Sequence, residues 1–202
     1  IVWIIPRINL IAALVTSSVI LQRRVGMIYC EARSDTEILS DVENEREVVL
    51  LGCPVCANIS LYFQKAPENS PMLTLTPTGF RAVSMQKEVR RLVQVLDEKG
   101  LKVNSWVGKY PVVAMCVPDE RNRKKIIEKC KDCDAVISFC CDAGKKSLEN
   151  LLPEKKVIAG MNARGIMNAS LKTKMVYANL SLDKKTVNIT KFRISKADAA
   201  AE

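Results

Sequence analysis

Four apolar side chains, Val48, Val49, Leu50 and Leu51, run without interruption into Gly52. A short run that is apolar on both sides and bounded by Gly and Pro suits a strand buried on both faces, as in a parallel sheet. The stretches 135–139 (AVISF) and 157–159 repeat that pattern, and 101–107 (LKVNSWV) and 112–117 (VVAMCV) are further apolar stretches between them. In the intervals the period becomes helical. Residues 82–99 place Val89, Leu92, Val93 and Leu96 on one face and stop at Gly100. Residues 119–131 form a short basic helix with Ile126 and Ile127 inward, and 143–152 a third helix. Strands alternating with helices predict an α/β fold, a small mainly parallel sheet with helices on both faces of the Rossmann or flavodoxin-like kind. Residues 175–194 alternate around a turn at 182–185 and add a C-terminal antiparallel β-hairpin.

The remaining segments are less regular. Residues 31–47 read as a helix-forming lead-in, with Ser34 and Glu37 spaced as a capping box. Residues 53–80 read as irregular, because Pro54, Pro67, Pro71 and Pro77 punctuate them. The apolar run 8–21 follows Pro6 and Arg7 and is shorter than the roughly 20 residues of a membrane-spanning helix. Gln22, Arg23 and Arg24 follow it where a signal peptide would place a small-residue cleavage site. Three readings of this extension stay open: sequence upstream of a native start at Met27, a membrane or surface anchor, or an extra packed helix. The expected organisation is therefore an apolar extension (1–26), an α/β cysteine-site domain (27–170), and a β-hairpin with a frayed tail (171–202).

A chain of 202 residues has room for one such domain plus additions. It contains no histidine, which excludes a His general base, a Ser-His-Asp triad, a His-ligated haem and mixed Cys/His zinc sites. It does contain eight cysteines. Nothing after Met27 resembles an export signal, so the expected compartment is the reducing cytoplasm, where placed cysteines point to metal or redox work. The sequons at Asn58, Asn168, Asn179 and Asn188 are then chance matches. The net charge of +9 gathers in the run 121–125 and at the lysines 172, 174, 184 and 185, with few aromatic residues among them. Such faces suit solvent or a docked protein better than nucleic acid, and a membrane enters only through residues 1–26. Gly144-Lys145-Lys146-Ser147 is not a P-loop, since Phe139 stands where that motif needs its first glycine.

Ligand sites of parallel α/β sheets lie outside the carboxyl ends of the strands. Cys53 and Cys56 follow the first strand, Cys116 ends VVAMC, and Cys140 and Cys141 follow AVISF, so all five are expected at one edge. Cys130 and Cys133 precede AVISF; about seven extended residues at roughly 3.3 Å each place them roughly 20 Å away. Neighbouring residues 140 and 141 point differently. Cys141, in the loop before a helix N-terminus that favours thiolate, is taken as the fourth ligand beside Cys53, Cys56 and Cys116. Cys30, Cys130 and Cys133 are expected to be packed core thiols. Asn162, Arg164 and Asn168 fall at the same functional edge, on a loop after the last strand. An all-thiolate set fits a [4Fe–4S] cluster or a structural zinc ion, and Cys53-Pro54-Val55-Cys56 alone would fit a thiol-disulfide oxidoreductase.

From Met27 to about residue 168, the segments VVLLGCPVC, VVAMCVPDE, DAVISFCCDAG and VIAGMNARG resemble the N-terminal domain of the small partner subunit of acetogen-type methylenetetrahydrofolate reductase. The resemblance implies an accessory subunit from an anaerobe whose Fe–S cluster relays or senses electrons for a flavin-dependent one-carbon reductase, with no substrate chemistry of its own. The chain departs from that family in having Ser60 where a further cysteine is usual and in a Pro-containing insertion at 65–79. It also lacks the family's C-terminal cysteine-rich segment. One cluster on Cys53, Cys56, Cys116 and Cys141, rather than a chain of them, is what these departures leave.

Overall fold

A computed structural model describes residues 24–68, 70–110, 114–174 and 179–192. The apolar run 8–21 and the tail 196–202 lie outside the described residues. The elements are β1 (Arg24–Ala32), α1 (Asp35–Asp41), β2 (Glu47–Gly52), α2 (Cys56–Lys65), β3 (Leu73–Thr76), β4 (Gly79–Ala82) and α3 (Val83–Asp97). They continue with β5 (Lys102–Val107), β6 (Lys109–Tyr110), α4 (Glu120–Cys130), β7 (Ala135–Phe139), α5 (Asp142–Leu151), β8 (Lys156–Ala159), β9 (Met161–Lys174) and β10 (Asn179–Lys191).

Two sheets share the chain. The smaller has four parallel strands in the order β5-β2-β7-β8, with Val48 opposite Ala135 and Gly52 opposite Phe139. Its central strand β7 is buried at all five positions, which is why its residues read as a continuous apolar run. The larger sheet has six antiparallel strands, β1-β9-β10-β3-β4-β6, curled as a half-barrel. The expectation of a mainly parallel, Rossmann or flavodoxin-like sheet is therefore corrected: the parallel strands are the minority.

The strands that overturn it were concealed for identifiable reasons. β1 pairs with β9 from Arg24 onward and occupies the beginning of the supposed helical lead-in. Only Asp35–Asp41 of that lead-in is helical, capped as expected, with the Ser34 hydroxyl accepting from the Glu37 N–H and the Glu37 carboxylate from the Ser34 N–H. β3 and β4 form a hairpin within the Pro-rich stretch read as irregular. The C-terminal hairpin pairs β9 with β10, so residues 182–185 lie inside a strand. Their turn chemistry is real but local: Asp183 accepts from the Lys185 N–H and the Thr186 hydroxyl, and the ladder loses register between Asp183 and Asn188. The division expected at residue 170 falls within β9.

The amino edge of the parallel sheet is pinned by Asp134, whose carboxylate accepts from the Arg46 and Glu47 N–H groups at 2.9 Å each, holding its pKa below the usual range. At the opposite edge the Cys53 N–H donates to the Phe139 carbonyl at 2.9 Å, carrying the pairing of β2 and β7 one residue past β2. Among the described residues no helix is long and apolar enough to cross a membrane.

Candidate functional site

β2 delivers Cys53 to the carboxyl edge through Gly52, where a Cβ would stand 2.7 Å from Met85 Cγ and 3.0 Å from Val107 Cγ2. No larger residue fits there without displacing the Met85 and Val107 side chains. Pro54 and Val55 turn the chain, and Cys56 opens α2. Cys116 lies not on a strand, as VVAMCV suggested, but in a turn closed by the Val117 N–H donating to Ala114 at 3.1 Å; residues 111–113 lie outside the described residues. Cys140 follows β7, and Cys141 is the N-cap of α5.

The two neighbouring cysteines diverge. A Cβ on Gly144 would meet Cys140 Cβ and Sγ at 2.9 Å and Met115 Cβ at 3.4 Å, so the Cys140 side chain is packed under α5. Cys141 instead acts electrostatically on Cys30, Cys53, Cys56, Cys116 and Cys140 alike. The four residues singled out from the sequence, Cys53, Cys56, Cys116 and Cys141, are thus brought into one neighbourhood.

Cys30 joins them, and sequence reasoning missed it. It sits in β1 at a break in register after Tyr29 and is fully buried. Its N–H donates to the Ser60 hydroxyl at 3.0 Å and its carbonyl accepts from Gln64 at 2.6 Å, both on α2. Ser60, noted as the place of a further cysteine in the resembling family, therefore positions Cys30. The bulge that turns Cys30 inward leaves no local mark in the sequence; the short apolar run from Met27 to Cys30 was the available sign of a strand.

Cys30, Cys53, Cys56, Cys116 and Cys140 are all shifted toward the neutral thiol. Burial pushes Cys53 up to about 12, with the Met115 and Val55 N–H groups at its sulfur opposing and Cys56 and Cys141 adding to the rise. Burial also raises Cys56, against the Ile28 N–H, and Cys116, against its own N–H and that of Val117. Cys30 and Cys140 are raised mainly by burial, then by other cysteines. Such thiols are poor nucleophiles, and Cys53 is only 3% exposed, so the arrangement does not favour dithiol exchange at Cys53 and Cys56. A metal would have to displace their protons. Among the described residues no group of three or more Cys, Asp or Glu side chains is placed so that it could hold a metal ion. The donor set itself fits a thiolate-bound group: sulfurs from separate segments, with backbone N–H groups directed at three of them.

Cys130 and Cys133 stand at the amino edge, apart from these six. Both are free thiols in hydrogen-bonding contact, and Cys133 Sγ donates to the Cys130 carbonyl at 3.3 Å. Cys133 is the more acidic of the two, because Cys130 donates to it and Lys155 lies beside it, donating to the Cys133 carbonyl at 2.7 Å. Asn162, Arg164 and Asn168 prove to lie on β9 rather than on a loop. Arg164 pairs with Glu31 at 3.5 Å. The basic run 121–125 is largely an exposed face of α4, with Lys125 over the Trp106 ring at 5.2 Å. Asn58 is fully buried, its amide bonded to Met72 and Met85, so that sequon has no accessible acceptor.

No family model matches this chain, and neither a curated protein nor a solved structure shows significant similarity to it.

Proposed function

We propose that this chain is a cytoplasmic accessory subunit that holds one [4Fe–4S] cluster on Cys53, Cys56, Cys116 and Cys141 and passes electrons to a flavin-dependent reductase partner of the methylenetetrahydrofolate reductase kind. One observation carries the reading. Cys53, Cys56 and Cys116 reach the carboxyl edge from different segments, the rise in each thiol's pKa is opposed by backbone N–H groups, and Cys141 acts on all three. Hydrogen bonds to sulfur stabilise the charge that cluster ligands share and help set its potential. When bound, the cluster supplies one-electron transfer. The chain's own part is to shield Cys53 and Cys141 from water while Cys116 stays exposed, to orient the sulfurs from β2, α2, the 114–117 turn and the α5 N-terminus, and to release their protons as the group binds.

Cys140, packed against Gly144, and Cys30, bonded into β1 and α2, form the apolar floor beneath those four. The test is anaerobic purification of the full chain, with a visible spectrum and iron, sulfide and zinc analysis of one sample. The reading expects a brown protein with about four irons and four sulfides per chain. A colourless protein with one zinc overturns the electron-transfer role in favour of a structural four-thiolate site. A metal-free protein overturns both.

A further inference from the structure

Where the C-terminal end of α2 meets the first turns of α3, the loop at 66–71 leaves a cavity of about 350 Å³. That volume falls within the roughly 300–1,000 Å³ common for small-molecule sites. Its walls include Leu61, Pro67, Pro71 and Val83, and they are predominantly apolar. It lies roughly 14 Å along α2 from Cys56, at 1.5 Å per helical residue.

The charges around it are one-sided. Its lining carries Lys65, Lys87 and Arg91 against the single carboxylate of Glu88. Glu88 is buried and fully engaged: Lys65 and Arg91 each reach its Oε1 at 2.8 Å, and Arg91 is also clasped by both oxygens of Asp35 at 2.6 and 2.7 Å. That network fixes Arg91 and Lys65 as wall. Lys87 remains, with no carboxylate partner among the described residues, and it also lines an adjoining groove with Arg81 and Arg90, which likewise have none. An apolar hollow beside three uncompensated cations suits a ligand with an apolar body and an anionic head.

We propose that this cavity binds a small organic anion, a carboxylate or phosphate on a short apolar chain or ring, with its head at Lys87 and its body between Pro67, Pro71 and Val83. The site is independent of the thiol cluster and does not rest on its metal.

Titration calorimetry and amide NMR on the full chain test it with three probes: octanoate, octan-1-ol and inorganic phosphate. Octanoate is expected to bind more tightly than either of the others and to shift amides in 65–71 and 83–91. Lys87→Glu is expected to weaken octanoate about fivefold or more, as reversal of one exposed charge contact allows, and added salt to weaken it further. Lys87 is exposed, so the variant should melt as the wild type does; Val83→Trp, which fills the hollow, provides a second route to lost binding. Octan-1-ol binding as tightly as octanoate, affinity unmoved by Lys87→Glu, or no amide shifts in these segments would each overturn the proposal.

Discussion

The two edges of the small parallel sheet carry the same side chain in opposite environments. At the carboxyl edge Cys30, Cys53 and Cys140 are buried, and burial together with the charge of neighbouring cysteines disfavours their ionisation. At the amino edge two thiols share a proton-donating contact beside Lys155, and one of them is acidified. Cysteine content alone therefore says little. Burial opposes thiolate formation at the carboxyl edge, whereas at the amino edge the Cys130 contact and Lys155 favour it at Cys133.

The sharpest way to break this contrast is to remove single sulfurs. Cys56→Ala should abolish retained iron, whereas Cys130→Ala should leave iron and sulfide content unchanged; equal loss from both would erase the distinction. Next in size is an alkaline effect on the metal-free chain. Cys53 keeps its proton in the folded state up to about pH 12 but loses it near its ordinary 9.0 when unfolded. Its stabilisation is complete below pH 9 and disappears as pH rises from 9 to 12, a loss of about 4 kcal/mol. Urea unfolding across that window should fall more steeply for wild type than for Cys53→Ala.

A smaller change tests the packing beneath the thiols. Gly144→Ala forces a methyl to within 2.9 Å of Cys140 Sγ, and an overpacked core of this kind costs roughly 1–3 kcal/mol. Thermal melting of the metal-free protein should register it. The least effect is at the other edge: Lys155→Gln should move the Cys133 ionisation upward, seen by thiolate absorbance near 240 nm, without altering metal content.

How much of this was legible follows from burial. β2 and β7 are covered on both faces and so wrote continuous apolar runs, and the edge rule then placed Cys53, Cys56 and Cys141 at one edge, whereas Cys116 was assigned there through a strand that is in fact a turn. The antiparallel strands are partly exposed, and β9 mixes Asn162, Arg164 and Asn168 with buried Met161 and Met167, so neither run nor strict alternation marks it. β3 and β4 are too short to outweigh the prolines around them. Cys30 was hidden twice, by a strand not recognised and by a bulge within it. The capping box at Ser34 and Glu37 was readable because it depends on nearest neighbours only.

The contrast between the edges is tested most directly by an alkylation footprint. The anaerobically purified full chain is treated with iodoacetamide under mild denaturant, with its metal in place and after acid removal of the metal, and each cysteine is scored by mass spectrometry. The account predicts that Cys53, Cys56, Cys116 and Cys141 are protected only while the metal is bound, with Cys130 and Cys133 labelled equally in both samples. Protection that follows Cys130 and Cys133 instead, or identical labelling of all eight in the two samples, would contradict it.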